Sequence, residues 1–148
     1  LSEVEVDRFA NLESILVKSD YRAGIQIGKH FFEKIDARGK AVLINTNWSE
    51  HWRKDHYFEN HPFLTEEAAI FLRDAGAVLV GIDSHNIDDT RSKSRPVHSV
   101  LLRAGILIAE HLCNLHVLPE KDFLFNAVPP KFKGVGTFPV RAYAEVRR

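Results

Sequence analysis

Three short, uninterrupted apolar runs constrain this chain more than any other feature: Ala41-Val42-Leu43-Ile44, Ala77-Val78-Leu79-Val80-Gly81-Ile82 and Ile106-Leu107-Ile108-Ala109. Each is short and apolar throughout, so each reads as a strand covered on both faces, as in a parallel sheet. Each also stops abruptly in polar residues: Asn45-Thr46-Asn47 after the first, Asp83-Ser84 after the second, Glu110-His111 after the third. Open α/β sheets place their ligand crevice at the C-terminal ends of the strands, so polar groups gathered there predict a site. Glu110 is the sharpest signal. An ionised carboxylate at the end of an apolar run costs several kcal/mol unless it is solvated, paired or bound to a cation.

The segments between the runs complete an α/β pattern. Thr65 caps a predicted helix with Glu66 and Glu67 in its first turn, Ala68, Ala69, Phe71, Leu72 and Ala75 on its buried side, and Gly76 just past its end. A second helix starts at Pro96, carries Leu101 and Leu102, and stops at Gly105. A third is expected over Ile27 to Arg38, with Ile27, Phe31, Phe32 and Ile35 on one side and Gly39 ending it. Further strands are expected at Ser14–Lys18, at Phe123–Val128 before Pro129-Pro130, and at Val140–Val146, where alternation has a period of two. Gly134-Val135-Gly136 reads as a turn, since a lone Gly-x-Gly is too weak a motif for a phosphate cradle. All 148 residues fit one α/β domain.

Composition narrows the partners. Twenty basic residues balance twenty acidic ones, so no global field favours nucleic acid or an anionic membrane. With Cys113 as the only cysteine, an intrachain disulfide and a cysteine-based zinc site are both ruled out. No signal peptide or membrane span is visible, and a cytoplasmic location is expected. The chain has no methionine and opens on Leu1, which suggests a processed or partial chain. His51, His56 and His61 recur every five residues, but that step carries each side chain off the previous one's helical face, so the three read as a polar, aromatic-rich loop rather than a metal site. Trp48, Trp52, Tyr57 and Phe58 are candidate walls for an aromatic ligand; the two tryptophans fit equally well as caps on the core.

In order and spacing, Val42-Leu43-Ile44-Asn45-Thr46-Asn47-Trp48, Tyr57-Phe58 with His61-Pro62, Val80-Gly81-Ile82-Asp83, Pro96-x-His98, Ile108-Ala109-Glu110-His111-Leu112 with Asn114-Leu115, and Pro139-Val140-Arg141 resemble the cyclase family of metal-dependent hydrolases, which includes bacterial-type kynurenine formamidase and isatin hydrolase. The resemblance implies that family's swivelling β/β/α fold, a mixed sheet with flanking helices, and at least a homodimer. It also implies a divalent metal, Zn or Mn, held in part by a histidine and a glutamate twelve positions later, which here are His98 and Glu110. Imidazole and carboxylate are ligands that either metal accepts. The family's His-x-Gly-Thr-His-x-Asp-x-Pro-x-His signature, with its remaining ligands and acid/base histidine, has no counterpart here, so the resemblance is to the C-terminal two-thirds of the family domain. Asn47 stands where many relatives carry glycine in a Thr-Gly-Trp turn.

Two functions follow from the resemblance. One is hydrolysis of an amide bond in a small molecule, an N-formyl group or a cyclic amide, by a metal-activated water. The other is a non-catalytic remnant or partner subunit without a complete metal centre. A nucleotide- or nucleic-acid-binding α/β domain lacks both a phosphate loop and a basic stripe.

Overall fold

In the computed structural model, which describes residues 4–147, the three apolar runs become neighbouring parallel strands. They are β3 (Ala41–Asn45), β5 (Leu79–Ile82) and β6 (Leu107–Ala109); β1 (Leu12–Lys18) precedes them, and β7 (Phe123–Asn126) and β8 (Tyr143–Val146) follow. The six-stranded sheet has the order β6-β5-β3-β1-β7-β8. Its first four strands are mutually parallel, and the last two add antiparallel pairs. A separate parallel pair joins β2 (Gln26–Ile27) to β4 (Phe63–Leu64). This mixed α/β sheet with flanking helices is the class the sequence predicts.

Both faces of the central strands are buried, and alternation decides which residue goes where. Val42, Ile44, Val80 and Ile82 pack with the helices α1 (Glu66–Asp74) and α2 (Pro96–Arg103) through Ala68, Ala69, Leu72, Val97 and Leu101. Their neighbours Leu43 and Leu79 point the other way, with Leu12, Leu16, Phe123 and Phe125, beneath Leu112 and Leu115. Gly81 lies on this second face, where Leu43 and Leu112 close over it: a Cβ there would sit 2.7 Å from Leu43 Cδ2 and 2.8 Å from Leu112 Cδ1 and would push those methyls aside.

Local signals explain the helix ends. Thr65 Oγ1 accepts from the Ala68 N–H at 3.2 Å, satisfying one of the orphan donors of α1. Pro96 occupies the first turn of α2, and Gly105 follows its end at φ 72°, a conformation that costs glycine least. Among the described residues, no helix is long and apolar enough to cross a membrane.

The expected helix over Ile27 to Arg38 does not form. Ile27 is committed to the β2–β4 pair and its carbonyl accepts from Thr65 N–H at 3.1 Å. The rest of the segment holds one 3-10 turn, Lys29–Phe31, and isolated turn bonds such as Ile35 N–H to Phe32 O. Phe31-Phe32 and Asp36 are weak helix formers, and Phe32 buries itself completely without one. A second correction concerns β6, expected to be covered on both faces. It is an edge strand with half-buried side chains, and the fully buried member of that run is Ile106, whose N–H closes α2 by bonding Leu101 O. The observed β8 is also shorter than its alternation suggested, starting at Tyr143.

Candidate functional site

The C-terminal ends of β3, β5 and β6 come together as the parallel order requires, and each supplies a different polar device. After β3, Thr46 donates its backbone N–H and its hydroxyl to Asp83 Oδ1, at 2.8 and 2.5 Å, tying the ends of two strands together. Asn47 then adopts φ 64°, and Trp48 enters a 3-10 turn behind it. A left-handed residue there explains how glycine and asparagine can serve the same turn, since both tolerate that conformation. Asp83 is completely buried and its Oδ2 has no partner. Burial pushes its carboxyl up to about 6 against the opposing hydrogen bonds from Thr46.

The loop after β5 organises the pair from α2 and β6. Asp88 is buried, and its two oxygens accept from Val97 N–H at 2.8 Å, His98 N–H at 3.1 Å and His98 Nδ1–H at 2.6 Å. Burial opposes its charge, but the His98 side chain and the two backbone donors outweigh that and hold the carboxyl below its ordinary range. With Nδ1–H directed at Asp88, the other ring nitrogen of His98, Nε2, faces Glu110 Oε1 at 3.6 Å. That distance is too long for a hydrogen bond. Glu110 is instead held by Ile87, whose N–H donates to Oε1 at 2.8 Å. The carboxylate at the strand end is therefore anchored by the same loop that orients the histidine.

The aromatic residues form a second group beside this one. Trp48 is buried and donates its indole N–H to Tyr57 O at 2.9 Å. Tyr57 is buried too, its neutral phenol raised far above its usual range by burial, and the hydroxyl's one partner is His111 Nδ1 at 3.0 Å. Trp52 and Phe58 are 53% and 54% exposed, so of the four predicted wall residues only these two offer large open surfaces. Both pack edge-on against Tyr57, and Phe58 and His111 flank His85 with centroids at 4.9 and 5.4 Å.

The three evenly spaced histidines separate. His51 Nδ1 and His56 Nε2 share a hydrogen bond at 2.9 Å beside Trp48, whereas buried His61 turns inward. Its Nδ1 lies 3.0 Å from Pro62 O, an acceptor only, so Nδ1 carries the proton and Nε2 accepts from the Thr90 hydroxyl at 3.0 Å. Burial lowers its pKa against the Pro62 bond, keeping it neutral. Among the described residues no group of three or more His, Cys, Asp or Glu side chains is arranged to hold a metal ion. Among the described residues His98 and Glu110 face one another as a pair without a third such donor grouped with them. Asp88, His85 and His111 were not singled out for roles by sequence reasoning. The one available signal was Asp88, an acid placed before a proline-initiated helix whose first N–H groups need an acceptor.

A mixed, mainly parallel sheet that delivers an imidazole and a carboxylate from neighbouring elements to one edge defines the class as an α/β domain with a strand-end site. The chain belongs to the cyclase family: the family described as "Putative cyclase" matches residues 13–89, more than half of the sequence, and the match ends before His98 and Glu110. Kynurenine formamidase of Geobacillus thermodenitrificans is 34% identical over 119 residues, 79% of this chain and 55% of that protein. The chain spans about half the length of most of the curated relatives it matches. A solved structure described as a potential metal-dependent hydrolase with cyclase activity superimposes with a TM-score of 0.82 at 26% identity, covering 96% of this chain and 68% of that one. Isatin hydrolase A from Labrenzia aggregata shares the fold, with a TM-score of 0.88 at 22% identity over 98% of this chain and 64% of its own.

Proposed function

We propose that this chain supplies His98 and Glu110 to the divalent metal site of a cyclase-family hydrolase acting on an amide bond, an N-formyl or cyclic amide. One observation carries the reading: Asp88 engages His98 through Nδ1 at 2.6 Å, which leaves Nε2 facing Glu110 Oε1 at 3.6 Å. Metal bonds to imidazole nitrogen and carboxylate oxygen are about 2.0–2.2 Å long, so two donors at this separation can share one ion. Zn or Mn bound there would supply Lewis acidity and lower the pKa of a water. Asp88 holds the imidazole, the Ile87 N–H holds the carboxylate, and Trp52 and Phe58 offer apolar surface to an aromatic substrate. Catalytic sites of this kind ordinarily use three protein ligands, so at least one further ligand has to come from outside the described residues.

The test is metal content per chain after incubation with Zn or Mn, with mass in solution measured alongside. The expected result is stoichiometric metal that is lost in His98→Ala and Glu110→Gln while the fold persists. Unchanged metal content in both variants would refute the ligand assignment. A second reading, a non-catalytic partner subunit, is favoured by the lack of a three-donor group among the described residues. Failure to retain metal under replete conditions selects it.

A further inference from the structure

The loop after β5 carries a second arrangement that the hydrolase reading does not use. Thr90 is exposed, and its hydroxyl lies 3.0 Å from His61 Nε2. His61 itself is only 2% exposed, with Nδ1 3.0 Å from Pro62 O. Ser84 Oγ donates to that same carbonyl at 2.7 Å and lies 3.2 Å from His61 Nδ1, so the ring is held from behind on two sides. A carbonyl only accepts, which puts the His61 proton on Nδ1 and leaves Nε2 to accept from the Thr90 hydroxyl.

A hydroxyl within hydrogen-bond reach of a base, with the base oriented by a third group, is the arrangement that activates a nucleophile. Here the orienting group is the Pro62 carbonyl. The backbone on either side of Thr90 is fixed as well: Asp88 accepts from Val97 N–H and His98 N–H, and Asp89 accepts from Arg91 N–H at 3.0 Å and from the Arg91 guanidinium at 2.8 and 2.9 Å. The same loop supplies an internal reference. Ser92 and Ser94 are also exposed, but their hydroxyls share a hydrogen bond with each other at 2.8 Å, and among the described residues neither bonds an imidazole.

We propose that Thr90 is a nucleophilic hydroxyl, with His61 as its base, that takes an acyl group from a small activated ester. Thr90 Oγ attacks the ester carbonyl carbon and a C–O bond forms, while the hydroxyl proton passes to His61 Nε2. The carbon's bond to the leaving oxygen breaks, its electron pair departs with that oxygen, and the proton on Nε2 is released to the leaving group or to water. The step needs no metal, so it goes beyond the hydrolase reading and fails or holds separately from it.

The experiment treats the full chain, with a chelator present, with p-nitrophenyl acetate, quenches in acid at short times and maps acetylated residues by mass spectrometry. Thr90 is expected to be acetylated about 100-fold faster than Ser92 or Ser94, the lower end of what a positioned base contributes. Thr90→Ser should keep fast labelling at position 90, and His61→Gln should slow Thr90 to the rate of the two serines. Equal labelling of the three hydroxyls in the unaltered chain overturns the proposal, and this comparison does not depend on any variant folding. Fast labelling of Thr90 that persists in folded His61→Gln overturns it too, since the hydroxyl would then owe nothing to the imidazole. Metal retention by the same protein reports on the hydrolase reading independently.

Discussion

The two halves of the strand-end site are built by different physics. Around His98 and Glu110 each side chain is anchored by a directional bond from the loop after β5: Asp88 to the imidazole, Ile87 N–H to the carboxylate. Around Tyr57 the partners are mostly rings in edge contact, supplemented by the hydrogen bonds of its hydroxyl to His111 Nδ1 and of its carbonyl to the Trp48 indole N–H. A bonded half holds two donors at a set separation and tolerates little substitution. A packed half can exchange one ring for another with less loss, which suits the wall of a site whose ligand varies.

The sharpest way to break this contrast is to remove the organiser of the bonded half. Asp88→Ala leaves buried donors on Val97 and His98 without acceptors and should cost about 3–5 kcal/mol by denaturant unfolding. Asp88→Asn keeps an acceptor and much of the stability, yet metal affinity measured by titration calorimetry should fall about 10–100-fold, as expected when a ligand's supporting partner is altered.

Next in size is the pH response of Asp83, whose carboxyl is raised from 3.8 to about 6 by burial. A raised carboxyl favours the protonated folded state, so its contribution is complete below about pH 4 and is lost as pH rises through about 6, a swing of about 3 kcal/mol. In Asp83→Asn that decline should vanish from the stability profile between pH 4 and 7.

Smaller effects belong to the packed half. Tyr57→Phe deletes one hydrogen bond to His111 and should cost about 1 kcal/mol in thermal unfolding. Phe58→Ala, at an exposed ring, should change stability by no more than about 0.5 kcal/mol while weakening aromatic ligands in a binding titration. A loss from Phe58→Ala equal to that from Asp88→Ala would erase the distinction between the halves.

Much of the frame was legible in the sequence because it rests on local rules. Thr65 and Gly105 delimit helices by capping chemistry, and the apolar runs read as buried strands, which the sheet order places beside one another. What escaped depends on pairing across distance. Ile27 joins a strand that begins at Phe63, and this withdrew the start of an otherwise plausible helical pattern. At the site, His98 and Glu110 entered through resemblance, whereas the anchoring role of Asp88 did not, since a carboxylate in a run of loop polar residues gives no sign of which backbone groups will find it. Spacing groups His61 with His51 and His56, yet beyond the adjacent Pro62 carbonyl its partners, Ser84 and Thr90, lie more than twenty residues away.

Gly81 gives the core a say in the chemistry above it. Leu112, two residues beyond Glu110, rests in the space that a side chain at position 81 would fill. A single added methyl would therefore meet the terminal methyls of Leu112 and Leu43, and both side chains would have to shift beneath the turn that carries the carboxylate. The packing under the strand ends thus leaves, at position 81, less room than one carbon atom.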